Sequence, residues 1–274
     1  MQRISIIGLG WLGIPLADTL KNKGYSVKGS TTQKDKQSQL KEKDYEVSLL
    51  NFNPHPEGES FNGLFDTDIL FVNIPPRSRT MPETFHPEQI KFLRALIDRH
   101  DIKKVIYVSA TSVYPDLSQT ATEEDSLSLS NTGNKALLTA ENILKSGKTY
   151  DLTIIRYGGL LGVDRIPGKY FSAKENVQGD TPVNYIHRDD AVSLAAWIIE
   201  KGLWNETFNA VAPKHPLRRE VYEKNAADLG FPPPKSYSQN EASFKVISPE
   251  KIITTGFTFT IPDPLDFWYE KPDK

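Results

Sequence analysis

The sequence contains no cysteine. Disulfides, thiolate nucleophiles, Cys-ligated zinc and iron–sulfur clusters are excluded together. No apolar run approaches the ~18 residues that cross a bilayer. The short apolar run within Met1–Gly10 is too brief for the core of a secretory signal and passes directly into a glycine motif. Neither sign of charge dominates: 33 Lys+Arg stand against 35 Asp+Glu, a net charge of -2. That balance gives no general attraction to nucleic acid or to an anionic membrane surface. His55, His86, His100, His187 and His215 share no metal-ligand spacing, so no metal is expected. A soluble, cytoplasmic protein is the expectation.

What is present is 274 residues with 38% hydrophobic content, enough for one large domain or a domain with a smaller lobe. Short β-branched and apolar runs alternate with stretches of helical period. Strands are predicted at Arg3–Ile7, Tyr25–Ser30, Glu46–Leu50 (weakly), Asp68–Asn73, Lys104–Ser109 and Leu152–Arg156. Helices are predicted at Gly10–Lys23, His86–His100, Lys135–Leu144, Asp189–Lys201 and Arg218–Leu229. Gly24 and Gly230 stand where helix-ending glycines should. This alternation predicts an α/β fold: a Rossmann-type, doubly wound parallel sheet with a small C-terminal substrate lobe. The dinucleotide-binding domain is placed at 1–160, its sheet completed by later strands, and the smaller substrate-side lobe at 161–274, including a helix and a strand that pack back on the sheet. Pro232–Pro234 reads as a stiff linker.

Gly8, Gly10 and Gly13 fit G-x-G-x-x-G, with Trp11 and Leu12 between the last two glycines. The motif follows the first strand and opens the first helix, which is the context that gives it meaning. Gly8 permits the tight turn, Gly10 lets backbone approach a pyrophosphate, and Gly13 lets helix and strand pack closely. The helix N-terminus offers free N–H groups and the positive end of its dipole to phosphate. A strand-end carboxylate would favour NAD by pairing with the ribose 2′-OH. Here the second strand runs out through Ser30, Thr31, Thr32 and Lys34 with no acid at its tip. Hydroxyls and a lysine suit a 2′-phosphate, so NADP is favoured, with NAD as the alternative.

Four further segments carry a resemblance: VIYVSATSVY at Val105–Tyr114, RYGGLLG at Arg156–Gly162, NYIHRDDA at Asn184–Ala191 and FNAV at Phe208–Val211. With the glycine motif, they make the chain resemble the extended and atypical short-chain dehydrogenase/reductases, the NAD-dependent epimerase/dehydratase-like proteins, nearly end to end. The resemblance implies cofactor contacts at Asn73, Ile74, Pro75, Ser109, Tyr157 and Gly158 besides the glycine turn. It also implies a small-molecule substrate such as a nucleotide sugar, and makes a homodimer one open state.

The family's chemistry uses a Ser or Thr together with a Tyr and a Lys at Y-x-x-x-K, and this chain departs from it. Counting back from Tyr114 puts Ala110 at the hydroxyl position. Aligning Glu141 with the family's acid puts Gly133 at the Tyr position and Leu137 at the Lys position. The remaining candidates for catalysis are Thr111, Ser112, Tyr114 and Lys135. Tyr170 and Lys174 also fit Y-x-x-x-K, but at a place wrong for the motif. His187 reads as structural, with Asp189 or Asp190 capping the helix that follows. Arg77 and Arg79 could meet an anionic substrate, as could Arg165, Lys169 and Lys174. Two functions remain open. One is an NADP-dependent oxidoreductase or epimerase-like enzyme with a rebuilt acid/base site. The other is a non-catalytic NADP(H)-binding regulatory or redox-sensing protein.

Overall fold

The computed structural model describes residues 1–77 and 80–270. Strands β1 (Arg3–Ile7), β2 (Ser26–Thr31), β3 (Glu46–Asn53), β4 (His55–Glu59), β5 (Ile69–Val72), β6 (Lys104–Ala110), β8 (Asp151–Tyr157) and β11 (Thr207–Ala210) form one sheet. Its order is β11-β8-β6-β5-β1-β2-β3-β4. The pairs β1–β2, β2–β3, β1–β5 and β5–β6 are parallel. Strand order reverses on either side of β1, which makes its C-terminal end the switch point where open α/β sheets bind ligands. The four residues of β5 are fully buried, as a strand covered on both faces must be.

Helices α1 (Gly13–Asn22), α2 (Lys34–Glu42), α3 (Phe85–Arg99), α4 (Lys135–Lys145) and α6 (Arg188–Lys201) alternate with these strands. In α3, Ile90, Leu93 and Ile97 are fully buried, the face their spacing predicts. The long helix expected from Gly10 begins instead at Gly13, because Gly10 N–H turns back to the Gly8 carbonyl at 2.8 Å. Helix α2 and the antiparallel edge strand β4 were not among the predicted elements. α2 buries only Leu40, and β4 reads HPEGE, so neither carries a hydrophobic period. The charges of β4 guard an exposed edge.

The chain divides into two compact units that interleave in sequence. The first comprises Met1–Val113, Leu127–Arg156 and Ala195–Thr207; the second comprises Tyr114–Ser126, Tyr157–Leu194 and the chain from Phe208 onward. Ala195–Thr207, from the later part of the chain, belongs to the first unit. The second unit contains two short parallel ribbons, β7 (Gln119–Ala121) with β12 (Lys245–Ile247), and β9 (Gly159–Leu161) with β10 (Tyr185–His187). Helices α5 (Pro167–Tyr170), α7 (Arg218–Leu229) and α8 (Glu250–Thr254) complete it. The proline run is no free linker: the Pro232 and Pro233 carbonyls accept from Ser172 Oγ and Ala173 N–H at 2.7 and 3.1 Å.

At the start of α6 the structure corrects the expected caps. Asp190 accepts the backbone N–H groups of Thr260 and Ile261 at 2.8 and 2.9 Å, so it ties down the C-terminal segment. Asp189 accepts from Trp268 Nε1 at 3.2 Å. The side chain that serves the helix is His187, whose Nδ1 accepts from Asp189 N–H at 3.2 Å. Its Nε2–H then donates to the Trp268 carbonyl at 3.1 Å. His187 is therefore structural and neutral.

Burial pushes the pKa of His86, His187 and His215 below the ordinary histidine value. The unfolded chain takes up these protons at about pH 6.5, before the folded chain does. Stability is thus present above pH 6.5 and is lost as pH falls through that value. The melting temperature is expected to fall between pH 7.5 and pH 5.5, with proton uptake on unfolding in calorimetry; a flat profile would contradict this assignment.

Candidate functional site

The glycine turn leaves β1 at Ile7 with Gly8 at φ 107°, a conformation that L side chains rarely adopt. A Cβ on Gly8 would stand 2.5 Å from the Asn73 carbonyl oxygen, and one on Gly13 would stand 2.2 Å from the Gly8 carbonyl oxygen. A Cβ on Gly10 would meet nothing within 4 Å. Two glycines are thus dictated by the protein's own packing, while the third faces open space. The backbone at Gly10 is thus bare just ahead of the N-terminus of α1, the kind of place where a phosphate would fit.

Two neighbouring strands hold the turn. Gly8 N–H donates to Ser30 Oγ at 3.1 Å, and Leu9 N–H donates to the Ser30 carbonyl at 2.6 Å. Asn73 Nδ2 donates to the Gly8 carbonyl at 3.3 Å. Ser30 is 1% exposed, so its hydroxyl braces the turn from within. Thr31 is also buried, and its Oγ1 accepts from Gln33 N–H at 3.4 Å. Thr32 and Lys34 are exposed, Lys34 as the first residue of α2. Trp11 is half-buried and Leu12 buried. Asn73 and Ile74 are half-buried and Pro75 exposed. Arg77 is exposed, and Arg79 lies outside the described residues.

The exit of β6 is tied to the start of α4. Thr132 Oγ1 and Gly133 N–H both donate to the Val113 carbonyl, at 2.7 and 3.0 Å. Asn134 caps α4 by accepting from Leu137 N–H at 3.1 Å, and its Nδ2 donates to Ser112 Oγ at 3.3 Å. A cavity of about 410 Å³ opens here, lined by Pro76, Pro82, Glu83 and Thr132–Ala136. Ser112 and Lys135 are exposed; Thr111 and Leu137 are buried.

Behind this surface lies an ion pair that sequence reasoning did not find. Glu141 is fully buried; its Oε2 accepts from Arg156 Nη2 at 2.6 Å and its Oε1 from Arg156 Nε at 3.0 Å. Ser109 Oγ donates to the same Oε1 at 2.7 Å, and Lys145 Nζ to Oε2 at 3.4 Å. Burial pushes the Glu141 carboxyl up, but Arg156, Lys145 and Ser109 together outweigh it and hold the carboxyl below its ordinary value. The only signal in the sequence was three separated polar residues inside apolar segments.

In the second unit, Tyr114 is fully buried and its hydroxyl donates to Asn209 Oδ1 at 2.9 Å. Tyr157 is buried too, donating to the Ala191 carbonyl at 2.7 Å, and a Cβ on Gly158 would stand 2.3 Å from the Asn184 carbonyl oxygen. Tyr170 is 59% exposed, and Lys174 Nζ lies over the Phe171 ring rather than beside a phenol. Among the described residues no group of three or more His, Asp or Glu could hold a metal ion, and no helix is long and apolar enough to cross a membrane.

Protein YeeZ of Escherichia coli strain K12 is 30% identical to this chain over 269 residues, covering 97% of this chain and 98% of the relative. The protein of that name from Escherichia coli O157:H7 matches to the same extent. The chain belongs to the YeeZ family. No family model matches it. Among solved structures, a short-chain dehydrogenase/reductase superfamily protein from Agrobacterium tumefaciens superposes with a TM-score of 0.77 at 14% identity, over 96% of this chain and 95% of that one. A conserved protein from Silicibacter pomeroyi gives 0.75 at 18%, over 97% and 96%. A UDP-glucose 4-epimerase from Thermotoga maritima gives 0.75 at 15%, over 96% and 96%. The fold is that of the short-chain dehydrogenase/reductases and NAD-dependent epimerase/dehydratases.

Glu141→Ala would leave the Arg156 guanidinium buried without its partner, a loss of about 3–5 kcal/mol. Urea denaturation of the variant should show that loss with an unchanged slope. A change under about 1 kcal/mol would mean that the pair is not held as described.

Proposed function

We propose that this chain binds a nicotinamide dinucleotide on the Gly8–Gly13 turn, with NADP preferred to NAD. It would act as an oxidoreductase or epimerase-like enzyme on a small-molecule substrate in the cytoplasm. The observation that carries the reading is the open space over Gly10 between two glycines that packing makes obligatory. In this reading the N–H groups at the start of α1 take the pyrophosphate. Thr32 and Lys34 take the 2′-phosphate at the exposed end of β2, where Thr31 contributes backbone. The segment Asn73–Pro75 passes the ribose. When bound, the cofactor supplies hydride transfer.

The structural neighbours support the coarse reading. The Agrobacterium protein is described with bound NAD, the Thermotoga epimerase with UDP-glucose, and a further neighbour with UDP-glucuronic acid and NAD. A nucleotide sugar is therefore the first substrate class to test. Of the four candidate catalytic residues, Ser112 and Lys135 are exposed, and Lys135 lines the cavity at the start of α4. We assign proton transfer to Lys135 and substrate hydrogen bonding to Ser112. Thr111 and Tyr114 are buried, which suits supporting roles.

A second reading is favoured by one observation: Gly133 and a buried Leu137 stand where the family's Tyr and Lys would be. A protein with neither could hold NADP(H) without turning it over. Fluorescence titration with NADPH and NADH tests the binding that both readings share. NADPH should bind at least about tenfold more tightly than NADH, and Lys34→Ala should narrow that ratio; each tenfold corresponds to about 1.4 kcal/mol. Binding of neither nucleotide would overturn both readings. Binding without oxidation over a carbonyl and nucleotide-sugar panel would select the second.

A further inference from the structure

The second unit contains a half-buried cation with no counter-charge among the described residues. Arg218 opens α7, and unlike Arg219, which pairs with Asp180, it pairs with no carboxylate among the described residues. Its Nε is sealed from solvent without a hydrogen-bond partner. Partial burial of a guanidinium is costly, and the usual compensation is a carboxylate. Here the neighbours are phenols. Tyr222 stands one turn on from Arg218 on α7, and Tyr185 packs against the cluster that holds Tyr222.

These groups are held in place by packing. Arg218, Tyr222 and Asn225 fall at i, i+4 and i+7 on α7 and so share one face. Asn225 Oδ1 is fixed by Gly168 N–H at 3.1 Å. The Phe171 ring stacks on Tyr222 with centroids 4.7 Å apart. A Cβ on Gly159 would stand 2.6 Å from Cδ1 and 3.0 Å from Cε1 of Tyr185, so one edge of that ring rests on bare backbone. Burial holds Tyr185 and Tyr222 protonated well above neutral pH. The cluster is therefore rich in donors and contains one net positive charge. Its chemical complement is an oxyanion, and a guanidinium fork matches a carboxylate or a phosphoryl group in geometry.

We propose that Arg218, with Tyr185 and Tyr222, forms an anion-recognition site that takes the carboxylate or phosphoryl group of an acidic small molecule. This deepens the small-molecule reading above and rests on it: the substrate class becomes an acid. The specificity residue is then Arg218, far in sequence from the glycine turn.

The test is thermal denaturation of the whole protein in inorganic phosphate or citrate, against potassium chloride at matched ionic strength. One of the two anions should raise the melting temperature of the wild type by a few degrees, and which one does so names the oxyanion. Arg218→Gln should abolish the rise, while Arg219→Gln, which removes an already paired cation, should retain it. Should Arg218→Gln fail to fold, Arg218→Lys keeps the charge without the fork and should at least halve the rise. A rise unchanged by substitution at 218 would overturn the proposal, as would no rise with either anion. NADPH affinity is measured on the same proteins. Phosphate held at the glycine turn would stabilise wild type and Arg218 variants alike. Loss of the anion effect at intact NADPH binding refutes only this site, whereas absent NADPH binding refutes only the cofactor reading.

Discussion

Between β1 and α1 there is no room for a side chain at either end of the turn. The Gly8 carbonyl lies against Gly13, and the Asn73 carbonyl lies against Gly8. This close approach sets the height at which α1 meets the sheet and leaves the backbone at Gly10 bare. Ser30 and Asn73 hold the arrangement from the strands on either side of β1. Both are polar residues whose side chains are spent on the turn itself, which is a structural reason for their type independent of any ligand.

A second constraint acts at the other candidate surface. Glu141 fixes α4 to β8 through Arg156 and to β6 through Ser109. The rotation of α4 is thereby locked, and with it the residues one and two turns earlier. Leu137 turns inward, and Gly133 joins the cavity lining beside Lys135. The positions of Leu137 and Gly133 are thus set by a firmly placed helix.

The sheet and its helices were legible because buried strands such as Ile69–Val72 and amphipathic helices such as α3 carry their own periods. The turn between β1 and α1 was legible because Gly8, Gly10 and Gly13 stand between an apolar run and a helical period. What escaped was set by partners distant in sequence. The ribbons β7–β12 and β9–β10 are three residues per strand, and such pairings leave no period to read. Asp189 and Asp190 read as helix caps by local rules, yet one serves Trp268 and the other Thr260 and Ile261. Ser30 read as a cofactor hydroxyl at a strand end, but pleating turns it toward Gly8. Position along the strand was legible; the face was not.

The central claim is that Gly10 is kept for a ligand and the other two glycines for the fold. Gly10→Val tests it most directly, because its side chain enters open space. The account predicts a melting temperature within a degree or two of wild type together with loss of NADPH binding by at least about a hundredfold, some 2.7 kcal/mol. Unchanged NADPH affinity in a folded Gly10→Val protein would contradict it.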